Sequence, residues 1–329
     1  MILENICVYH NPRYIANNNY PMKQLEALTL IIPVYNRAEL VSRTLSSVAQ
    51  QTLRPLRVIL VDNNSTDSTL PTLQQWKKAN ERGDFLIDVL TEARPGAAAA
   101  RNRALAETTS EFVMFFDSDD TMAPGHCARA LAALTSPRQP DLVGWDINMH
   151  LLNGATVRKP FYAADPLWHC VMHGSMGTQR WAARTSLVRR AGEWNPDIMG
   201  WNDIELGTRM LLLSPRIEKL GGQVTVDVFS QASSITGTDF SSSQKKWEAA
   251  LDAIESSMPD RRLRRYPNLR RALLAGNYAR ENAAAASRSL LSAAIDKEQS
   301  RFHRLLLRAA SRYVALGGRA AARLLRPLY

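Results

Sequence analysis

The chain has 329 residues, of which 45% are hydrophobic, and carries a formal net charge of +10. This length suits one catalytic domain of about 220 to 250 residues with an appendage. No apolar run reaches the roughly 18 residues needed to span a bilayer, and the first residues lack the basic start and apolar core of a signal peptide. The three separated cysteines show neither a zinc spacing nor a disulfide framework. We therefore expect a cytoplasmic protein that is soluble or peripheral on the inner face of the cell membrane.

The first elements of the chain follow a regular order. Residues 1–27 contain three consecutive asparagines and two prolines, and are predicted to form an irregular leader. Strands are then predicted at 28–34, 57–62, 85–91 and 112–117, and helices at 38–51, 67–78 and 96–107. Such alternation predicts an α/β fold with a doubly wound, mostly parallel central sheet. Its ligand site is expected at the carboxyl ends of the strands.

The strand at 112–117 runs into a cluster of three carboxylates, Asp117, Asp119 and Asp120. In an extended chain Asp117 and Asp119 point to the same side, so this pair can address one hard cation while Asp120 faces elsewhere. A solvated turn is the alternative interpretation of such a cluster. No glycine-rich dinucleotide motif and no P-loop follows any of the strands, which disfavours those two classes of enzyme.

Four short motifs occur in a fixed order along this region. They are Ile-Ile-Pro-Val-Tyr-Asn at 31–36, Val-Asp-Asn-Asn-Ser-Thr-Asp at 61–67, Gly96 followed by Ala-Arg-Asn at 100–102, and Asp-Ser-Asp-Asp at 117–120. In order and spacing they resemble the family-two inverting glycosyltransferases of the GT-A fold, over residues 28–236. The resemblance implies transfer of a sugar from a nucleotide sugar, UDP-linked in our prediction, to a glycan or lipid-linked acceptor in polysaccharide biosynthesis.

The resemblance also implies a donor site. The predicted nucleotide-sugar-binding residues are Pro33, Tyr35, Asn36, Asp62, Arg94, Arg101, Asp117 and Asp119. The resemblance implies that Asp62 accepts a hydrogen bond from the uracil N–H, although by itself its motif is more typical of an ordinary turn with a helix cap at Ser65 or Asp67. Asp119 is the first choice and Asp117 the second for binding Mn²⁺ or Mg²⁺, since carboxylate and phosphate oxygens suit hard cations.

On the acceptor side, the resemblance implies that Asp203 is the general base of the motif at 200–209. Its alternative role is a helix N-terminal acid stabilised by the helix dipole. Asn202 replaces the glutamate usual in the family, and Trp181, Trp201 and Asn202 are predicted to meet the acceptor. Aromatic faces stack on sugar rings, but core packing is the commoner fate of a tryptophan.

Two further features depart from the family pattern. Gln231 is the nearest counterpart of a histidine that often helps to bind the metal in family members. His169 and His173 have the four-residue spacing of helical metal ligands, but without a third ligand a structural or acceptor-pocket role is favoured over zinc. Asn202 and Gln231 motivate an alternative function, in which a degenerate transferase fold is a non-catalytic, membrane-associated assembly module.

The end of the chain differs in composition. Residues 261–329 hold 16 Lys and Arg but 3 Asp and Glu, so the excess of positive charge belongs to this tail. Strand-like runs stop near Phe229, a Ser/Thr-rich loop is predicted at 230–243, and helical sequence follows. We therefore predict a leader at 1–27, a GT-A-like domain at 28–240 and a basic helical extension at 241–329. The extension is predicted either to lie on an anionic membrane or to pack on the catalytic domain. No nucleic-acid partner is expected.

Overall fold

The computed structural model describes residues 27–231 and 239–329. The predicted leader and the middle of the loop predicted at 230–243 therefore lie outside the described residues. The strands are β1 (Leu28–Val34), β2 (Leu56–Asp62), β3 (Phe85–Thr91), β4 (Phe112–Phe115), β5 (Thr121–Met122), β6 (Leu142–Trp145), β7 (Ile147–His150), β8 (Thr156–Lys159), β9 (Trp181–Arg184), β10 (Ile217–Leu220) and β11 (Val226–Phe229). The α-helices are α1 (Val41–Ala49), α2 (Thr69–Asn80), α3 (Ala97–Ala106), α4 (His126–Leu134), α5 (Pro166–His173), α6 (Thr185–Arg190), α7 (Asn202–Leu212), α8 (Gln244–Ser257), α9 (Arg265–Arg280), α10 (Ala284–Asp296), α11 (Arg301–Ala315) and α12 (Ala321–Leu325).

The central sheet has seven strands in the order β10-β6-β9-β4-β1-β2-β3. Strands β4, β1, β2 and β3 are parallel neighbours, whereas β9 is antiparallel to both β4 and β6. Every residue of β1 is buried, as expected for a strand that is covered on both faces. In the register, Val34 pairs with Asp62 and Asp62 with Thr91, so the loops after β1, β2 and β3 start at one edge. The predicted α/β fold with a mostly parallel sheet is confirmed.

The structure corrects some predicted bounds and one inference built on them. Helix α1 begins three residues later than predicted, and β4 ends at Phe115 rather than at residue 117. Ser118 and Asp119 form a turn, so the alternation of an extended chain does not hold in the carboxylate cluster. Asp117 and Asp120 instead share a hydrogen-bond partner, which contradicts the predicted pairing of Asp117 with Asp119 on one side.

A second, four-stranded sheet in the order β5-β11-β7-β8 was not predicted. Its strands have two to four residues each and come from well-separated parts of the chain. Segments this short carry too little hydrophobic periodicity to be recognised. Through β5 and β11 this sheet adjoins the carboxylate cluster, because Asp120 accepts a hydrogen bond from the backbone N–H of Phe229 (2.9 Å).

The C-terminal helices are part of the main core. Buried residues of α8, α9 and α11, namely Ile254, Leu269 and Leu307, belong to the same hydrophobic cluster as Val61 and Phe115 of the central sheet. This finding supports packing of the extension on the rest of the fold. Among the described residues, no helix combines the length and the apolar character required to cross a membrane. The domain boundaries at 27 and 240 stay predictions.

Candidate active site

The loops that follow β1 and β2 are tied together by hydrogen bonds. The backbone N–H of Asn36 donates to Ser65 Oγ (3.0 Å), and the Asn36 side chain accepts from the backbone N–H of Thr66 (2.8 Å). Asp67, after the second loop, accepts from the backbone N–H of Ala38 (3.2 Å). Asn36 therefore holds the two loops in place, and these contacts shape the edge of the site in the absence of any ligand.

Asp62 ends β2 and is buried beneath these loops. One carboxylate oxygen, Oδ2, accepts from the backbone N–H of Ser65 (3.1 Å). The other, Oδ1, is buried and has no hydrogen-bond partner among the described residues. A buried acceptor without a donor is costly, so this oxygen is available for an N–H group of a ligand.

Pro33 and Tyr35, both predicted to bind the nucleotide sugar, lie in different environments, because Pro33 is buried and Tyr35 is exposed. Pro33 lies inside β1, buried and paired with Val61, so its side chain does not line an open pocket as predicted. Position 33 sits in a continuous buried strand, whereas the chain leaves the sheet only after Val34. Tyr35 is 55% exposed and presents its ring at the edge of the site.

Arg94 and Arg101 occupy opposite environments. Arg94 is exposed and forms an ion pair with Asp197 (2.7 Å). Arg101 is buried, stacks on the ring of Trp194 and forms an ion pair with Asp117 (2.7 Å). Its Nε and Nη1 atoms are buried without a hydrogen-bond partner in the described part of the chain. Arg101 therefore does not lie on a solvated helix face, and it keeps unused donors beside the carboxylate cluster.

Gln179 joins two of the three clustered carboxylates. Its side-chain amide donates to Asp117 Oδ2 (2.8 Å) and to Asp120 Oδ2. Burial, followed by the charges of Asp117 and Asp119, raises the pKa of Asp120 well above its usual value. The described contacts of Asp117 and Asp120 hold both side chains in place, whereas Asp119 is a half-buried carboxylate in the turn between them.

The groups around Asp119 shift its pKa in opposite directions. Burial and the neighbouring Asp117 raise its pKa, whereas the positive charges of Arg37 and Arg43 oppose this rise. Arg43 also donates to the backbone carbonyl of Asp119. Its guanidinium stacks on Phe229, with the Cζ atom 3.8 Å from the centre of the ring. A desolvated carboxylate beside a second one is stabilised by a cation, so the donor set fits Mn²⁺ or Mg²⁺.

Within residues 27–231 and 239–329, no three His, Cys, Asp or Glu side chains form a complete metal site. This agrees with a cation that takes one or two carboxylates from the protein and completes its shell with phosphate oxygens and water. Gln231, considered above as a metal ligand, is half-buried just after β11. Nothing in its described surroundings assigns it to the cation.

Asp203 lies in the first turn of α7, and burial raises its pKa. The backbone N–H of Ile204 and the charges of Arg101 and Arg270 oppose this rise, and the charge of Asp117 adds to it. Asp203 is thus within electrostatic reach of the carboxylate cluster, although 83 residues separate Asp120 from it in the chain. A carboxylate with a raised pKa can accept a proton at neutral pH more effectively than an ordinary one.

Residues from α7 and from the distant helix α9 lie near Asp203. Trp201 is half-buried, has a positive φ of 51° and carries the guanidinium of Arg270, from α9, on its ring (4.1 Å). Asn202, the first residue of α7, is also half-buried. Trp181 is instead packed in the core against Phe115, and its indole N–H donates to the Met176 carbonyl (3.0 Å). The predicted acceptor role of Trp181 is therefore not supported, because the ring has no exposed face.

Sequence reasoning missed three residues of this site, Gln179, Arg43 and Arg270. Each reaches the site from an element that is distant in sequence from its partner. The only local signal was the position of Gln179 two residues before Trp181 in the predicted acceptor-side segment. No pattern in the tail distinguishes Arg270 from its many neighbouring arginines.

Comparison with known proteins supports the fold and the motifs. The family model described as "Glycosyl transferase family 2" matches residues 29–151. A putative teichuronic acid biosynthesis glycosyltransferase of Bacillus subtilis is 40% identical over 93 residues, which cover 28% of this chain and 36% of that protein. A poly(ribitol-phosphate) beta-glucosyltransferase of Bacillus spizizenii is 38% identical over 95 residues, which cover 28% of this chain and 15% of that protein.

The fold is similar to that of S. aureus TarS 1–349 in complex with UDP-GlcNAc, with a TM-score of 0.65, 18% sequence identity and coverage of 91% of both chains. The predicted GT-A-like fold is confirmed. The sequence matches reach only about a third or less of the lengths of the curated relatives named above. The motif-based resemblance is confirmed, because the model of glycosyl transferase family 2 matches residues 29–151, which contain all four motifs.

Proposed function

We propose that this chain transfers a sugar from a UDP-linked donor to a glycan or lipid-linked acceptor, with inversion at the anomeric carbon. The observation that carries the proposal is the meeting of a partnerless Asp62 oxygen, the Asp119 carboxylate and Asp203 around one edge of the sheet. These three groups match the needs of a base pocket, a diphosphate-bound cation and a proton acceptor.

The donor is proposed to bind across the loops after β1, β2 and β4. Asp62 Oδ1 accepts the uracil N–H, and the exposed Tyr35 ring lies against the nucleotide. The spare donors of Arg101 face the phosphates. The complex of TarS with UDP-GlcNAc supports a UDP-linked donor.

A divalent cation, Mn²⁺ or Mg²⁺, is proposed to be held by Asp119, with Asp117 as a second candidate. Both Asp117 oxygens already accept hydrogen bonds, from Arg101 and Gln179, so Asp119 is the better ligand. When bound, such a cation neutralises the charge that develops on the leaving diphosphate.

Asp203 is proposed as the general base. The acceptor hydroxyl oxygen forms a bond to the anomeric carbon, the bond from that carbon to the diphosphate oxygen breaks, and Asp203 takes the hydroxyl proton. Its raised pKa brings it nearer to the working pH, where general-base catalysis contributes typically about 10²- to 10⁴-fold. The names of the relatives favour a cell-surface polysaccharide or its lipid-linked precursor as the acceptor.

The proposal is tested with the full chain and a panel of nucleotides. In thermal-shift experiments we expect UDP with Mn²⁺ to raise the melting temperature, and ADP with Mn²⁺ to have little effect. Asp62→Ala is expected to reduce this preference for UDP. The donor sugar is then identified by release of UDP from a panel of nucleotide sugars. Binding of UDP without any turnover would favour the alternative, a non-catalytic assembly module, and no binding of any nucleotide would reject the transferase proposal.

We further propose that the outer surface of α11 attaches the protein to an anionic membrane. Phe302, Leu305 and Leu316 are 53%, 62% and 80% exposed and recur at helical spacing. The exposed arginines beside them are Arg301, Arg308 and Arg312. An apolar stripe with flanking cations fits the interface of a bilayer that contains anionic lipids, where each surface cation contributes about 1 kcal/mol.

This attachment is tested by sedimentation with vesicles of phosphatidylglycerol and phosphatidylcholine. The triple variant F302S/L305S/L316S is expected to lose vesicle binding, and wild-type binding is expected to weaken as salt rises. Leu152→Ser removes an equally exposed leucine from the turn between β7 and β8 and is the matched control. Equal binding by the triple variant and the wild type would contradict the proposal. Deletion of α11 is less informative, because its Leu307 is buried in the core.

A further inference from the structure

The two histidines of α5 form a ring stack, not a metal site. His169 is buried and lies parallel to the Tyr162 ring, with the ring centres 3.6 Å apart. His173 is exposed at the end of the helix, and its ring centre is 5.4 Å from that of His169. In the part of the chain that the structure describes, no third metal-ligating side chain joins them. Another ligand must therefore explain any binding role of this surface.

Positive side chains converge on His173 from three other elements. Arg270 of α9 donates to the carbonyl of Val171, two residues before His173. Arg180 donates to the carbonyls of Gly174 and Lys159, both at 3.2 Å, and so holds the end of β8 next to the end of α5. Arg326, near the C-terminus, pairs with Asp165 (3.1 Å) at the start of α5. Lys159 is the last residue of β8 and carries its own positive charge. The arrangement therefore combines cations from β8, α9 and the C-terminal residues.

The local electrostatics are those of an anion-binding surface. Partial desolvation of its ring, His169 and the positive charges of Arg270, Arg326 and Lys159 together lower the pKa of His173 to about 4. The Nε atom of Arg270 and Nδ1 of His169 are buried without a hydrogen-bond partner among the described residues. Arg270 also lies within electrostatic reach of Asp203. The positive surface therefore begins directly beside the proposed base.

We propose that Arg270, Lys159 and His173 form a binding site for a phosphate group carried by the acceptor. A guanidinium matches phosphate oxygens in geometry, an ammonium adds a point charge, and a neutral imidazole adds a hydrogen-bond donor. A phosphate held here would keep the acceptor hydroxyl near Asp203, while the donor stays at the other side of the cluster. This inference rests on the proposed transferase function and adds the chemical class of the acceptor.

Two kinds of molecule carry such a phosphate, a polyol-phosphate chain and a lipid diphosphate. The test therefore uses a glycerol-phosphate trimer and farnesyl diphosphate as probes, with glycerol and farnesol as uncharged controls. The protein is first saturated with UDP and Mn²⁺, so that the probes cannot occupy the donor site. Binding is measured by calorimetry on the full chain.

Lys159→Glu is the main variant, because Lys159 is exposed on β8 and its replacement leaves the core intact. We expect it to weaken binding of the preferred phosphate probe by about three- to tenfold, as for reversal of one surface charge at a binding site. Lys78→Glu reverses an equally exposed charge on α2 and is expected to change nothing. Arg270→Gln is expected to weaken binding more strongly, with a melting curve to confirm that it folds.

The probe that binds identifies the source of the phosphate. Equal affinity of Lys159→Glu and Lys78→Glu for that probe, or equal binding of the uncharged control, would overturn the inference. If UDP binds but neither phosphate probe does, the acceptor inference fails while the transferase proposal stands. If UDP itself does not bind, the transferase proposal is the one that fails.

Discussion

The proposed donor side and the proposed acceptor side of the site are assembled from residues that lie at very different distances along the chain. On the donor side, Asn36, Asp62 and Asp119 follow strands β1, β2 and β4, which are neighbours in one parallel sheet. On the proposed acceptor side, Asp203 of α7 and His173 of α5 both lie within electrostatic reach of Arg270 from α9. The donor side is thus fixed by sheet order, and the acceptor side by the packing of helices.

This difference explains why a family model matches residues 29–151 while the remaining chain lies outside the match. Loops at the end of a parallel sheet keep their relative positions whenever the strands keep their order. The acceptor side depends on how α5, α7 and α9 pack, which many sequences can achieve in different ways. We therefore expect donor-side changes to affect nucleotide binding, and acceptor-side changes to affect transfer.

The largest effect is expected from Asp203→Asn, which keeps the shape of the side chain but removes the proton acceptor. Sugar transfer should fall by roughly 10²-fold or more, the scale of lost general-base catalysis, while UDP affinity stays the same. Steady-state rates and calorimetric UDP binding measure the two quantities. Equal losses of binding and turnover would show that Asp203 has a structural role. They would also contradict the expectation that changes on the acceptor side affect transfer and not nucleotide binding.

Asp119→Asn tests the donor side. We expect loss of the Mn²⁺-dependent part of UDP binding, about a 100-fold decrease in affinity, because a charged oxygen ligand is replaced by a neutral one. UDP binding is compared with Mn²⁺ and with a chelator. Asp120→Asn is not a suitable control, since both Asp120 oxygens accept hydrogen bonds, whereas the exposed Asp197→Asn is suitable. Metal-dependent binding that persists in Asp119→Asn would reject this residue as a ligand.

Leu307→Ala tests whether the buried face of α11 stabilises the fold. Leu307 is buried in the main core, so its truncation should lower the free energy of unfolding by about 2 kcal/mol or more. Leu305→Ala, on the exposed face of the same helix, should change it by less than about 0.5 kcal/mol. Urea denaturation of both variants gives the comparison. Similar values for the two would mean that α11 does not contribute to the core.

The smallest effect is expected from Arg270→Gln on the pH dependence of transfer. Arg270 lowers the pKa of Asp203, so its removal lets that carboxylate bind a proton more tightly and raises the pKa. The acid limb of the pH–rate profile should then move to higher pH. With saturating acceptor, so that weaker acceptor binding does not lower the rate, the rate at acidic pH should fall by roughly two- to fivefold, and the loss should disappear at alkaline pH. A uniform loss across pH under these conditions would show that Arg270 does not act on the pKa of the base.

The sequence by itself determined the fold class and most of the donor side. Apolar runs of strand length, each followed by a helical segment, required a parallel sheet, and that sheet brings residues such as Asn36, Asp62 and Asp119 to one edge. The motif around Asp203 is also local, and the role of that residue stays a prediction. The inferences about the fold succeeded because they depend on residues that are near in sequence or on neighbouring strands.

Only the tertiary structure decided which carboxylates of the cluster are held by hydrogen bonds and which one is the better candidate to bind a cation. Gln179 ties Asp117 to Asp120 across about 60 residues, and a turn at Ser118 and Asp119 replaces the alternation of an extended chain. It also decided that Trp181 is core and that Arg270 reaches the site. Such contacts depend on packing between distant elements, and side-chain spacing along the chain carries no information about them.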